Sequence, residues 1–438
     1  MTDGSPLQEI ERAVLESAKL ADLDISDSSA IDRLRVLIDA QINNWDDDVR
    51  RGRRTTALAD PSGLRQRVFR NLAGYGPLED LLQDDDVWEV MINAPDAIFV
   101  RRHSGAGGYH HENFHDDDHV IRTLTKILDE ASGAHRKLDP SEGLQDAQLD
   151  TGARLHIVHS DLARDGHLLV NIRKFNGIAI RTLDELVERD MLGAPVAAFL
   201  RAAINARLSV IFAGPPGSGK TTLMSCCAAE LDPSLRVVIA EEVFETDVPL
   251  PNVAHMQTRP KRSDRPEVDL RRLVAGFMRM APDIAIVGEV RDREALPLLL
   301  TLSSGVTGYT TIHAGSARQA LSRLRFICQL ADAGLSVGAL TTLVSETVDL
   351  VVHCDRRDGT PRITEVTAVE DSLTNGDAPF TTTQLFEREA NGPLTWTGQV
   401  PVRMQTAFER SGVDLLPLLD VHRGTLEQGL GLALRKTL

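Results

Sequence analysis

Leu208-Ser-Val-Ile-Phe-Ala213 runs without a break into Gly214-Pro215-Pro216-Gly217-Ser218-Gly219-Lys220-Thr221, and Thr222-Leu-Met-Ser-Cys-Cys-Ala-Ala-Glu230 follows. An apolar, β-branched run thus meets a Gly-x-x-x-x-Gly-Lys-Thr turn and then a helix-forming stretch, which is the context a phosphate-binding loop requires. The glycines let successive backbone N–H groups curl round a β-phosphate, and the helix start adds the positive end of its dipole. Lys220 would reach the β- and γ-phosphates of ATP, while the Thr221 hydroxyl would help hold Mg²⁺. At ordinary residue frequencies chance yields this spacing in such a chain with a probability of roughly 1%. Its position between strand and helix sets an ordinary glycine turn further aside.

Working outward from the loop, strand-like runs at Val237–Ala240 and Ile284–Val287 alternate with helical segments at Thr221–Glu230 and Leu270–Met280. Alternation of this kind implies a parallel sheet covered by helices, with ligands at the carboxyl ends of the strands. Two of those ends carry acids: Glu241 and Glu242, with Glu245 three residues on, and Glu289 within Gly288-Glu-Val-Arg291. One acid would polarise a water near the γ-phosphate and the other would steady Mg²⁺ through its water shell. Solvated strand-end acids are the plain alternative. His313 ends another β-branched run, Gly308-Tyr-Thr-Thr-Ile-His313, where it would sense the γ-phosphate or serve as a structural hydrogen-bonder.

Before the loop, residues 1–60 show helical spacing at Ile10, Val14, Leu15, Leu20, Ile31, Leu34 and Leu37, broken by Asp46-Asp-Asp48. They read as a helical, partly mobile N-terminal extension. Residues 61–182 hold short β-rich runs, at Val87–Ile92, Ala97–Val100, Arg154–Val158 and Leu168–Ile172, and one helix near His119–Ala131. They read as a small α+β domain. The α/β domain is expected over 183–370, and 371–438 is expected as a tail with short helices near Met404–Glu409 and Leu415–Leu419.

The whole chain has 438 residues, long enough for two or three domains. Its net charge of -16 opposes loose adhesion to nucleic acid or an anionic membrane surface. Apolar stretches such as Leu296-Pro-Leu-Leu-Leu-Thr-Leu302 fall well short of the roughly 20 residues that span a bilayer. Met1-Thr-Asp-Gly-Ser5 lacks the basic and apolar segments of a secretory signal, so the expected location is the cytoplasm. Cys226, Cys227, Cys328 and Cys354 form no CxxC pair and read as reduced thiols, the first two as small hydrophobes after the loop.

These residues together resemble the secretion ATPase superfamily of type II and type IV secretion, specifically the branch that drives Tad/Flp pilus assembly. Gly74-Tyr-Gly-Pro-Leu-Glu-Asp-Leu-Leu82, Glu89-Val-Met-Ile-Asn-Ala-Pro-Asp96, Leu149-Asp-Thr-Gly-Ala-Arg154 and Asn171-Ile-Arg-Lys-Phe175 are similar to the family's small domain. Gly214–Thr222 resembles its Walker A loop, Glu241-Glu242 its Asp box, Ile286–Arg291 its Walker B segment, and Thr310-Thr-Ile-His-Ala314 its His box. The resemblance implies a RecA-like P-loop ATPase domain preceded by a small α+β, PAS-like domain. It also implies a general-base role for Glu241, a Mg²⁺ role for Glu242 and Glu289, and a homohexamer working on an integral inner-membrane platform. Arg154 and Arg173 match positions that supply phosphate-contacting arginines, a task that suits a planar guanidinium. The chain departs from the pattern at Glu242, usually Asp, and at Gln148, often Arg.

Two further features carry weaker signals. His103, His110, His111, His115 and His119 lie near Asp116-Asp-Asp118, but their spacing is irregular for a metal site and a solvated loop is expected. The basic run Arg259-Pro-Lys-Arg-Ser-Asp-Arg265 is short and interrupted, and suits a loop contacting phosphate or a neighbouring chain better than nucleic acid. A nucleotide-dependent scaffold, a DNA-translocating relative and a small-molecule kinase are the competing readings. The first two keep the loop but differ in hydrolysis and in nucleic-acid stimulation, and the third would need a second-substrate pocket that the sequence does not display.

Overall fold

The structure, a computed structural model, describes residues 5–21, 30–102, 107–130, 138–149, 151–174, 180–259, 266–331, 333–371, 380–389 and 392–419. The chain divides into two compact units, Met1–Asn176 and Gly177–Leu438.

In the smaller unit, α1 (Pro6–Leu20), α2 (Ile31–Arg50) and α3 (Pro61–Ala73) pack together through Ile10, Val14, Leu34, Ile38, Ile42, Trp45 and Val68. Their starts are written in the sequence: Ser5 and Asp60 cap α1 and α3, each followed by a proline at the first helical position. The described residues among 1–60, expected as a helical N-terminal extension, are helical over α1 and α2. Next come α4 (Glu79–Gln83), β1 (Val87–Ala94), β2 (Ala97–Arg102), β3 (Gly108–Tyr109), α5 (Asp117–Glu130), β4 (Leu144–Gln148), β5 (Arg154–Val158) and β6 (Leu169–Arg173). The strands form an antiparallel sheet in the order β3-β2-β1-β6-β5-β4. Val90, Ile92, Leu155, Ile157, Val170 and Ile172 point to one face, where Leu124, Ile127 and Leu128 of α5 cover them. Period-two alternation puts Arg154, His156, Asn171 and Arg173 on the other face, beside Met91 and Phe99.

The histidine segment corrects one expectation. It is not a solvated loop throughout: His119 is 1% exposed against Phe114 and His115, and His115 bonds Glu11 of α1 at 2.7 Å. Among the described residues no three His, Cys, Asp or Glu side chains converge as metal ligands, and His103 lies outside those residues. Burial, with His115 and Arg122 nearby, pushes the His119 imidazole down to about 4. The unfolded chain then takes up a proton near pH 6.5 that the folded chain refuses. Stability is expected to be full above that pH and to fall as pH drops from 6.5 toward 4, by up to roughly 3 kcal/mol. The urea midpoint of the purified protein at pH 7 and pH 4.5, compared with His119→Gln, checks this; a drop of equal size in both proteins rules it out.

The larger unit holds α6 (Leu183–Glu188), α7 (Ala194–Asn205), β7 (Val210–Ala213), α8 (Lys220–Ala228), β8 (Val237–Glu241), β9 (Val253–Gln257), α9 (Leu270–Ala275), β10 (Ile284–Val287), α10 (Ala295–Ser303), β11 (Thr307–Ile312), α11 (Ala317–Leu330), α12 (Val337–Thr347), β12 (Leu350–Arg357), β13 (Thr360–Val369), β14 (Thr382–Arg388), β15 (Leu394–Trp396), α13 (Gln405–Arg410) and α14 (Leu415–Leu419). Its sheet runs β15-β14-β13-β12-β7-β11-β10-β8-β9. From β12 to β9 all pairs are parallel, as the alternation of strands and helices implies. Strands β7, β8 and β10 are wholly buried because helices cover both faces. Alternate residues serve two cores: Val210, Phe212, Val237 and Ile239 meet α6, α7 and α8, while Ile211, Ala213, Val238 and Ala240 meet α9, α10, α11 and α12. Each such Val, Ile or Phe side chain contributes roughly 1.5–3 kcal/mol.

Two strands among the described residues after 370 belong to this same sheet. β14 and β15 add to its antiparallel edge, with Leu385 and Phe386 buried against Phe199. The cysteines are all buried, and burial pushes the Cys226 and Cys354 thiols up to about 12. They stay protonated and behave as hydrophobes. No helix among the described residues is long and apolar enough to cross a membrane.

Candidate functional site

The register of the parallel strands brings the predicted site residues of the larger unit to one edge. Ala213 at the end of β7 lies level with Ile312 of β11 and His353 of β12, while Val287 of β10 lies level with Ala240 of β8. One residue further along each strand come Gly214, His313, Gly288 and Glu241. The loop leaves β7 with Gly214 at φ 150°, where an added Cβ would stand 2.1 Å from the Cys354 carbonyl oxygen and 2.6 Å from Ser218 Oγ. Neither the backbone angle nor the space admits a side chain.

Pro215 and Gly217 shape the turn, and Gly219 caps α8 in a left-handed conformation. Ser218 N donates to the Pro215 carbonyl at 3.3 Å, and Lys220 Nζ donates to the same oxygen at 2.8 Å. Lys220 is 6% exposed, and the Ser218 hydroxyl is buried without a hydrogen-bond partner. Thr221 and Thr222, both half-buried, open α8 beside it. Pro216 lies on the loop between Pro215 and Gly217, half exposed to exposed along that stretch.

Lys220 leads onward to the acids. Its Nζ lies 3.3 Å from His313 Nδ1, and His313 Nε2 lies 3.3 Å from Glu289 Oε1. The tautomer with its proton on Nε2 serves both neighbours, accepting from the lysine and donating to the carboxylate. Gly214 O, 3.2 Å from Nδ1, would be served by the other tautomer. Glu289 is about a third exposed, and an open cleft runs from Pro215 and His313 past Arg323 and Phe326 to His353 and Asp355. His353 itself is tied to Thr364 Oγ1 and the Ala314 carbonyl, and burial lowers its pKa.

Glu241 is placed quite differently from Glu289. It is 2% exposed, and its carboxylate accepts from Thr246 Oγ1 at 2.6 Å, Thr246 N at 3.0 Å, Glu245 N at 3.3 Å and His255 Nε2 at 2.9 Å. The lack of a side chain at Gly288 makes room for it, since a Cβ there would come within 2.7 Å of Glu241 Oε1. Glu242 turns outward and pairs with Arg291, whose Nε donates to its Oε1 at 3.1 Å. The segments that follow β8 and β10 are therefore bound to each other by a surface ion pair as well as by the sheet.

In the smaller unit Arg154 and Arg173 are direct cross-strand partners, with Glu89 of β1 next in the row. Arg154, half-buried, and Arg173, exposed, thus share one sheet face with the acid Glu89. Of the basic run 259–265 only Arg259 is described, bonded to the Pro266 carbonyl and bridged to Val268, and residues 260–265 lie outside the described residues.

Sequence reasoning did not single out His255, Thr246 or Arg356. Arg356, in β12, donates from Nη1 to the Gly217 carbonyl at 3.0 Å. Nothing local marks Arg356, which is 139 residues from its partner.

A mostly parallel sheet with a glycine-rich strand-to-helix turn at the carboxyl edge, donors gathered inside it and acids beside it, defines the class: an α/β protein built to receive an anionic ligand there. Residues 71–376 match the type II/IV secretion system protein family, and the chain belongs to that family. It is 31% identical over 305 residues to a putative conjugal transfer protein of Mycobacterium tuberculosis, covering 67% of this chain and 84% of that one. It is also 31% identical over 314 residues to the type IV secretion system protein PtlH of Bordetella pertussis, covering 64% and 89%. Among solved structures, the VirB11 ATPase from the Brucella suis type IV secretion system is 26% identical, with 66% of this chain and 94% of that chain covered and a TM-score of 0.36.

Proposed function

We propose that the chain is a RecA-like P-loop ATPase that hydrolyses Mg²⁺-bound ATP as a homohexamer, with its smaller unit containing the PAS-like domain. On this reading it drives Tad/Flp-type pilus assembly, or type II/IV protein secretion, from the cytoplasmic side of an inner-membrane platform. The observation that carries the reading is the convergence of Lys220 Nζ and Ser218 N on the Pro215 carbonyl, with His313 and Glu289 chained to the same lysine. Donors that meet on a neutral carbonyl oxygen would meet more strongly on a phosphate oxygen. The unpartnered Ser218 hydroxyl is a further polar group that fits such an anion.

ATP with Mg²⁺ supplies the phosphoanhydride bond and a divalent charge on its phosphates. Gly214–Gly219 and Lys220 hold those phosphates, Thr221 and Thr222 close the loop at the start of α8, and Thr221 is the hydroxyl for the metal. Glu289 orients water, and His313 holds Glu289 and Lys220 in register. Glu241 supports this edge from inside the protein, and Glu242 acts on the metal side through its pair with Arg291. Arg154 and Arg173 offer guanidinium charge to a nucleotide.

A DNA-transfer motor is the second reading, favoured by the likeness to a relative described as a putative conjugal transfer protein. The net charge of -16 weighs against direct contact with a polyanion. DNA-stimulated turnover would distinguish it. The test of ATPase activity is steady-state ATP hydrolysis with assembly followed by light scattering. Lys220→Ala is expected to lose at least about 100-fold in turnover. Wild-type turnover no faster than that variant's would overturn the reading and leave a nucleotide-dependent scaffold.

A further inference from the structure

The hairpin between β12 and β13, Asp355-Arg-Arg-Asp-Gly359, stands directly behind the glycine-rich loop. Three contacts join them. The Cys354 carbonyl lies against Gly214; Pro361 lies 3.3 Å from where a Gly219 Cβ would stand; and Arg356 bonds the loop's Gly217 carbonyl at 3.0 Å. The same guanidinium also donates from Nη2 to the Gly359 carbonyl. It thus ties the tip of the hairpin to the middle of the loop. Arg356 is half-buried, whereas Arg357 beside it is exposed.

The Gly217 C=O and the Ser218 N–H belong to one planar peptide and point in opposite directions. A guanidinium that holds the carbonyl outward therefore keeps the N–H turned inward, where it meets Lys220 on the Pro215 oxygen. Were the peptide to rotate, a carbonyl oxygen would face an incoming phosphate and repel it. We infer that Arg356 is a positioning residue that locks the Gly217–Ser218 peptide in the orientation that receives the phosphates of a nucleotide. This inference rests on the nucleotide reading of the loop. It assigns the affinity of that loop to a residue outside it, on a different strand.

The test uses the full chain with ADP and Mg²⁺ as the binding probe, and ATP hydrolysis as a second readout. Arg356→Ala is expected to weaken ADP binding about tenfold, the usual scale for a hydrogen bond to a charged group. KM for ATP should rise by a similar factor while kcat changes far less. Arg356→Lys should recover part of the affinity, because an ammonium can reach one of the two carbonyls but cannot span both. Arg357→Ala removes the same charge one residue away and should bind ADP as the wild type does. Unchanged ADP affinity in Arg356→Ala overturns the inference. So does an equal loss in Arg357→Ala, which would make the effect one of bulk charge, or a parallel fall in kcat and melting temperature with KM unmoved. A wild type that does not bind ADP at all would instead overturn the nucleotide reading, and the inference would fall with it.

Discussion

Glu289→Gln is expected to lower kcat for ATP hydrolysis by about 10²–10³-fold, with ADP affinity within about twofold of wild type. Its side chain is about a third exposed at the carboxyl edge of the sheet, and its partner His313 stands 3.3 Å from the buried Lys220. Glutamine preserves length and one acceptor oxygen but removes the negative charge that draws a proton from water. The histidine keeps its contact with Lys220 through Nδ1, so the loop should keep its shape. Binding and chemistry therefore separate in this variant. Turnover within threefold of wild type would remove Glu289 from the chemistry, and joint loss of binding and turnover would make it part of the phosphate cradle instead.

The same site shows which parts of a fold can be read from a chain. The loop was legible because its chemistry is contiguous: strand, glycine turn, lysine and helix occupy residues 208–230 without interruption. The parallel core was legible for a similar reason, since fully apolar runs such as Val237–Ala240 between helices leave few alternatives. The edge strands after residue 370 were not. Thr382–Arg388 mixes buried Leu385 and Phe386 with polar neighbours, and its place depends on pairing with β13 and on a register shift near Val366. Turn-rich polar sequence hides such a strand, because the partner supplies half of its hydrogen bonds. The histidine segment misled for a related reason: polar residues beside an aspartate run resemble a solvated loop until Glu11, far away in the chain, reaches His115.

The environments of the two acids were the least legible part of the site. Glu241 and Glu289 both follow apolar strands and both match acidic positions of the family, so sequence treats them alike. Their difference arises from donors that come from elsewhere: Thr246 on the following loop, His255 on the neighbouring strand, and the space that Gly288 leaves. A contact made across a sheet has no local sequence period. Only the fold reveals that one acid is enclosed while the other is about a third exposed at the edge of the sheet.

That enclosure leads to the second large effect. Glu241→Ala is expected to destabilise the protein by roughly 2–4 kcal/mol, because it strands several donors in a buried space. The Thr246 hydroxyl, two backbone N–H groups and His255 all converge on this one carboxylate, and water has little access at 2% exposure. For a unit of this size the melting temperature should fall by about 5–15 °C. Glu241→Gln should fall part of the way, since its amide keeps one acceptor but sets an NH₂ against groups that also donate. Thermal melts of both variants, with ADP binding and turnover measured at a temperature where each remains folded, distinguish two roles for the residue. A support for the edge shows a large melting shift, with turnover recovering in part once the protein is kept cold. A base that leaves its enclosure to meet the water shows the reverse, a kcat near zero at every temperature with the melt scarcely moved, and that outcome would return to Glu241 the role its family resemblance implies. With four donors between 2.6 and 3.3 Å, departure from the enclosure would break more hydrogen bonds than any single contact to water could replace, so the melting shift is the expected result.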